Sequence, residues 1–207
     1  MRVQHLTGAT EQIRPSVCHD CVWWQQRNDA REVDKHRWVS ETEEEFGSWG
    51  KIYVEEGRHV ASLQYGPAPA FPRARTLPAG PASADAVLIT CAYLSDPNSP
   101  WALQSLFLAC ISECHDRRLP AIEAFGLGHS ADASFADRFL RHRTIFPRDF
   151  LGDYGFRPLR AEGPVELMRL ELGGLVAVDE PEGLVHEALR HARSSGSVSG
   201  IAETPRW

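Results

Sequence analysis

The sequence has no long apolar run. Nothing in it approaches the roughly 18 consecutive apolar residues of a membrane-spanning helix. Met1 to Thr10 carries one Arg and no apolar core of signal-peptide length. These absences predict a cytoplasmic chain with no membrane partner. Positive charge is not clustered either: the formal net charge is −6, and the longest run of like charge is Glu43-Glu44-Glu45. Nucleic-acid binding needs a concentrated positive surface to neutralise phosphates, so no nucleic-acid partner is expected. Cysteine is sparse and odd in number, at Cys18, Cys21, Cys91, Cys110 and Cys114. Without a secretion signal that count favours reduced thiols over a disulfide framework. Only Cys18 and Cys21 have the spacing of half a zinc site. His5, His36 or Cys91 would have to supply the rest, and no metal is expected. No internal repeat is visible.

What is present fits one α/β domain. At 207 residues, with 43% hydrophobic and 24% charged residues, the chain is too short for two comfortable domains. Arg2–Leu6 alternates as a short strand, and Glu32–Phe46 has a helical pattern ended by Gly47 and Gly50. Lys51–Glu55 and His59–Tyr65, separated by Glu56-Gly57-Arg58, read as a hairpin. Gly66–Pro81 contains Pro67, Pro69, Pro72, Pro78 and Pro81 and reads as a largely extended, ordered loop. Asp85–Leu94 holds a continuous apolar stretch suited to a strand buried on both faces. Trp101–Arg117 is the clearest helix, with Trp101, Leu103, Leu106, Phe107, Cys110, Ile111 and Cys114 on one stripe. Ala121–Phe125 is a second buried strand, so strand, helix, strand predicts a parallel crossover. Ala133–Arg141 and Pro147–Tyr154 read as helical, Arg157–Ala161 and Val165–Leu172 as paired strands, and Glu180–Arg193 as a last amphipathic helix. The tail from Ser194 is rich in Ser and Gly and is expected to be mobile. The domain expectation is 1–172, followed by a 173–207 extension.

Several words in this order carry a resemblance. They are Cys18-His-Asp-Cys-Val-Trp-Trp24, Pro81-Ala-Ser-Ala-Asp-Ala-Val-Leu-Ile-Thr90, Pro120-Ala-Ile-Glu-Ala-Phe-Gly126, and Phe146-Pro-Arg-Asp-Phe-Leu-Gly-Asp-Tyr-Gly-Phe156. Together they resemble a bacterial subgroup of the GNAT superfamily of N-acetyltransferases, over about Pro15 to Leu172. The resemblance implies a mixed, mostly antiparallel α/β (α+β) sheet with a splayed parallel strand pair and flanking helices. It further implies an acyl-CoA-dependent N-acyltransferase using acetyl-CoA, a small-molecule amine as acceptor, and a monomer or homodimer.

In that family glycines at the start of the long helix bring backbone N–H groups to the pyrophosphate. The corresponding segment here, Leu94 to Leu103, has no glycine and no arginine. Asp96 puts negative charge near the expected phosphates, and Pro97 and Pro100 remove N–H donors. Asn98 or Ser99 caps the helix. By resemblance, acetyl-CoA would lie along Cys91, Ala92 and Tyr93, with its pyrophosphate held at Asn98, Ser99, Trp101, Ala102 and Leu103. The same loop favours a second reading, a GNAT-like ligand-binding or protein-interaction protein that no longer binds coenzyme A.

Glu123, in an otherwise apolar strand, is a candidate general base, or else a salt-bridged strand carboxylate. The family's usual acid, a Tyr four residues before the late Gly-Phe, is Leu151 here, which leaves Tyr154 as the candidate acid or as a packing residue. Trp23, Trp24, Trp38 and Trp49 form either an aromatic pocket wall or core. The cysteines Cys18 and Cys21 are expected to pack with Trp23 and Trp24 on a first helix. His129 and Ser130 have no triad around them.

Overall fold

A computed structural model describes residues 2–26, 33–128 and 144–174. The expected helices at Ala133–Arg141 and Glu180–Arg193, the tail from Ser194, and His129 and Ser130 lie outside them. The described chain builds an eight-stranded sheet in the order β1-β2-β3-β4-β5-β8-β7, with β6 also on β5. Its strands are β1 (Arg2–His5), β2 (Gly50–Glu55), β3 (Arg58–Pro67), β4 (Ala86–Leu94), β5 (Ala121–Leu127), β6 (Phe146–Pro147), β7 (Arg157–Glu162) and β8 (Val165–Glu171). Pairing is antiparallel except for β4–β5 and β5–β6. This is the mixed, mostly antiparallel α/β architecture that the sequence predicts.

Local chemistry sets the connections. Glu56 and Gly57 both have positive φ, 51° and 75°, so a two-residue turn joins β2 to β3 and matches the twist of the hairpin. Helix α2 (Lys35–Glu45) starts where Asp34 accepts hydrogen bonds from the amides of His36 and Arg37. Gly47, at φ 92°, turns the chain out of its end. Helix α3 (Pro100–Asp116) runs between β4 and β5, and α4 (Arg148–Asp153) follows β6.

Two cores lie on opposite faces of the sheet. On the α3 face Val87, Ile89, Ala92 and Leu94 of β4 meet Leu103, Leu106, Phe107 and Cys110 of α3, together with Phe146 and Leu151. On the other face Trp24, Trp38, Trp49, Phe71, Leu88, Phe125 and Leu167 pack together. Strand β4 therefore supplies both, as its continuous apolar run requires.

Two expectations need correction. The Cys18–Trp24 segment is not a helix: α1 is a single turn (Ser16–His19), and a separate turn follows, in which the Val22 carbonyl accepts the amides of Gln25 and Gln26. Breaking the helix there lets Trp24 turn down and stack on Phe125, with ring centroids 6.0 Å apart. Nor is Gly66–Pro81 largely extended. Strand β3 continues through Pro67, and one-turn 3-10 helices at Ala68–Ala70 and Pro72–Arg75 carry the chain over the aromatic core.

Candidate functional site

The parallel β4–β5 ladder is short. It runs from Ala86↔Ala121 to Ile89↔Ala124 and stops. Immediately beyond, β4 carries a bulge: Tyr65 pairs with Ile89 and Gln64 with Cys91, which leaves Thr90 as the extra residue. The Thr90 hydroxyl closes the irregularity by donating to the Gln64 carbonyl at 3.2 Å. The bulge shifts the alternation of β4 by one residue, so Ala92 and Leu94 reach the same core as Val87 and Ile89. Among the described residues no strand takes up the β5-facing edge of β4 past the bulge. The matching edge of β5 pairs with β6 instead, at Gly126↔Phe146 and Leu127↔Pro147.

A pocket of about 150 Å³ opens at this divergence, between Cys91, Ala92 and Tyr93 on one side and Thr144 on the other. Its remaining wall comes from Arg14, Val17, Cys18, Cys21 and the Trp23-Trp24-Gln25 turn, with Gln64 from β3. The four early tryptophans divide by role. Trp23 lines the pocket, Trp24 belongs to both the wall and the core, and Trp38 and Trp49 are core, 5.5 Å apart edge to face.

Cys91 donates its S–H to Gln64 Oε1 at 3.2 Å, and burial pushes its thiol up to about 11, so it is present as the thiol at neutral pH. Cys18 and Cys21 line the same pocket. Among the described residues no group of three or more His, Cys, Asp or Glu side chains is placed to hold a metal. No described helix is long and apolar enough to cross a membrane.

The sequence-selected residues fall in three places. Cys91, Ala92 and Tyr93 border the pocket. Asn98, Ser99, Trp101, Ala102 and Leu103 lie at the start of α3, where Asp96 already acts as the anion. One Asp96 oxygen accepts from the Asn98 amide at 2.9 Å and from Asn98 Nδ2 at 3.1 Å, and the other accepts from the Ser99 hydroxyl at 3.0 Å. Ser99 is the N-cap residue, but its hydroxyl is spent on Asp96 and makes no capping bond. The amides of Ser99 and Ala102 bond to the Asp96 and Ser99 carbonyls. These bonds hold the Asp96 carboxyl below the usual range, the Asn98 amide contributing most. The Trp101 ring meets Tyr53 edge to face at 5.0 Å, so it leans toward β2 and not into the divergence.

Glu123 and Tyr154 sit apart from the pocket. Glu123 is fully buried, with Oε1 accepting from Arg169 at 2.9 Å and Oε2 from the Ser83 amide at 2.8 Å. Tyr154 packs on Phe107 and Phe150, at 5.5 and 4.9 Å, in the α3 layer across the sheet from Trp24. Burial, then the neighbouring Asp153, pushes its hydroxyl up to about 12. Leu151 is core.

Sequence reading missed His59, Arg14, Gln25 and Gln64. His59 lies edge-on to Tyr93 at 5.8 Å, its Nδ1 is 2.6 Å from the Ser95 hydroxyl, and its buried Nε2 has no partner. Burial, and secondarily the charge of Arg14, lowers it to about 4. Only Gln64, a polar residue between Leu63 and Tyr65 inside a strand, left a trace in the pattern.

A pH dependence follows from the His59 shift. Between pH 6.5 and about 4 the unfolded chain binds a proton that the folded chain does not. The stabilisation is therefore complete above pH 6.5 and is lost as pH falls toward 4. Solvent screening of this half-buried ring limits the loss to about 1–2 kcal/mol. Urea unfolding at pH 7.5 and pH 4.5 should show the difference shrink in His59→Gln. An unchanged difference rules out the assignment to His59.

No protein-family profile matches the sequence, and no curated protein sequence matches it. Solved structures that resemble the fold include the ribosomal-protein-S18-alanine N-acetyltransferase from Escherichia coli, at 12% identity and TM-score 0.48, covering 87% of this chain and 97% of that one. The GNAT domain of S. lividans PAT is 14% identical with TM-score 0.49, covering 83% and 90%. The PaiA N-acetyltransferase from Thermoplasma acidophilum, in complex with coenzyme A, is 10% identical with TM-score 0.45, covering 82% and 98%. Likenesses this distant carry nothing about activity or substrate.

Proposed function

We propose that the chain is an acyl-CoA-dependent N-acyltransferase that acetylates a small-molecule amine in the cytoplasm. One observation carries this reading: the β4 bulge coincides with the end of the parallel ladder and with a pocket opening at the same level. A bulge beside a strand edge without a neighbouring strand gives an acyl chain a backbone surface to lie along and a place to present its carbonyl.

On this reading the thioester arm lies between Cys91–Tyr93 and Thr144, and the acceptor occupies the Trp23–Trp24 side. The amine nitrogen attacks the thioester carbonyl, the C–S bond breaks, and the amide forms. The amine gives up a proton, which the departing thiolate ultimately takes, so the products are amide and free thiol. His59 lines a separate cavity with Ser95, Asp96 and Ser99, and a ring lowered to about 4 is a weak base, so the amine proton passes to solvent. Glu123 anchors Arg169, and Tyr154 packs. Transfer on this reading is direct, from thioester to amine, with Cys91 a wall residue whose thiol is bonded to Gln64.

Asp96 favours the second reading, a protein of this fold that binds a ligand without coenzyme A. Its carboxylate takes the Asn98 amide and the Ser99 hydroxyl, and it puts negative charge near where the resemblance would set the phosphates. Calorimetry with acetyl-CoA, on the parent and on Asp96→Asn, decides between them. Removing one negative charge at a helix N-terminus while keeping the turn should tighten binding about five- to tenfold. Thiol release with an amine panel should follow the same order. If neither protein binds acetyl-CoA, the acyltransferase reading is abandoned in favour of the second.

A further inference from the structure

The pocket wall contains buried donors that have no acceptor. Arg14 Nε and Nη1, Trp24 Nε1, Gln25 Nε2 and Gln64 Nε2 are all enclosed and have no hydrogen-bond partner among the described residues. Their residues are deeply buried, with 6% of Arg14, 2% of Trp24, 6% of Gln25 and 4% of Gln64 exposed. Folded proteins leave few buried polar atoms unsatisfied, so several of one sign around one pocket are unusual. All of them are donors.

As placed, Gln64 Oε1 takes the Cys91 thiol, which leaves Nε2 as the unpartnered atom. Among the described residues Arg14 has no side-chain hydrogen bond or ion pair, and its guanidinium lies 5.4 Å from the centre of the Trp49 ring. Lys35 stands nearby with its ammonium on the Cys21 carbonyl at 3.3 Å, and burial, then Arg14, lowers its pKa. Glu11, also buried, forms no ion pair with Arg14, keeps Oε1 unpartnered and does not line the pocket. Among the described residues that line the pocket, Arg14 carries the one charge.

We propose that this pocket is a carboxylate-binding site. A carboxylate offers one negative charge and two acceptor oxygens, which matches a single net cation among neutral donors. A phosphate brings more charge than the wall can balance. The apolar faces of Val17, Trp23 and Tyr93 take the rest of the ligand. As far as it concerns the acceptor, the proposal rests on the acyltransferase reading: the amine acceptor is then an amino-acid-like molecule, anchored by its carboxylate with its amine toward Cys91 and Tyr93. The carboxylate site itself stands without that reading.

Calorimetry on the full chain, without acetyl-CoA, tests it with L-phenylalanine, 3-phenylpropionate, phenethylamine and inorganic phosphate. Both carboxylates should bind, with phenethylamine and phosphate at least about tenfold weaker. Arg14→Met should weaken the carboxylates on the order of 10- to 100-fold, the scale of a charged hydrogen bond. Gln64→Glu, nearly isosteric and electrostatically opposed, should do the same, and it carries the test if Arg14→Met does not fold. The proposal is overturned if phenethylamine binds as well as the carboxylates, if phosphate binds best, if no carboxylate binds, or if Gln64→Glu has no effect. Carboxylate binding without acetyl-CoA binding would sink the acyltransferase reading and leave this one standing. The reverse result would do the opposite.

Discussion

Replacing Arg169 with Met is expected to cost about 3–5 kcal/mol of folding stability, the scale measured when one partner of a buried ion pair is removed. Arg169 reaches Glu123 at 2.9 Å, Asp85 at 3.0 Å and Glu171 at 2.7 Å. Asp85 and Glu171 are solvated and gain little from the contact. Glu123 is different, because its side chain is 0% exposed and only the Ser83 amide would remain as its partner. A carboxylate left in that position must be protonated or desolvated while charged, and both are unfavourable. The melting temperature should fall by about 6–20 °C for a domain of this size. The double variant Glu123→Met/Arg169→Met should recover most of the loss, since an apolar pair of similar volume leaves no orphaned charge. A single-variant cost below about 1 kcal/mol, the range of an exposed pair, would refute the anchoring role. Glu123→Gln adds a functional arm: as an anchor it lowers stability and spares turnover, whereas as a base it abolishes turnover.

How much of this was legible in the sequence depended on whether a pattern had a local cause. The β2–β3 hairpin was readable from the Gly-containing break Glu56-Gly57-Arg58 between two β-like runs, although Arg58 belongs to β3 and the turn itself is two residues long. The core strands β4 and β5 were readable because burial on both faces demands a continuous apolar run. That same continuity hid the bulge: with apolar residues on both faces, a one-residue shift at Thr90 leaves no break in the pattern. The Cys18–Trp24 segment was misread because Cys-x-x-Cys-x-Trp-Trp has helical spacing, and only the stacking of Trp24 on Phe125 shows why the turn ends after His19.

The candidate site divides along the same line. Asp96 was readable as a misplaced charge, because helix starts and phosphate cradles have local rules. That its carboxylate takes the Asn98 amide and the Ser99 hydroxyl required coordinates. Arg14, Gln25 and Gln64 come from three separate segments, and nothing in the chain marks them as neighbours. Their common property, donors without acceptors, exists only in three dimensions.

The second large effect concerns the seating of α3, the helix whose start would have to accept a phosphate. Glu113, near its C-terminal end, bonds the Lys51 ammonium of β2 and accepts from the Tyr65 hydroxyl at 3.0 Å and from Arg117 at 3.3 Å. Burial alone would raise its pKa, but Lys51 and Tyr65 outweigh burial and hold the carboxyl below its ordinary value. Glu113→Met should cost about 3–4 kcal/mol, because it leaves the Lys51 ammonium, 8% exposed, without its carboxylate and with only His5 Nδ1 at 3.3 Å, and takes the acceptor from the fully buried Tyr65 hydroxyl. Lys51→Met/Glu113→Met should lose much less. A carboxyl depressed in the folded state contributes stability that is present above its unfolded pKa and is lost as pH falls through the folded one. The parent should therefore lose stability on acidification below about pH 4.5, and the double variant should lose less over the same interval. Urea midpoints across that window measure both effects. Equal acid sensitivity of parent and double variant would show that Lys51 and Tyr65 do not hold the Glu113 charge, and that packing alone seats the helix.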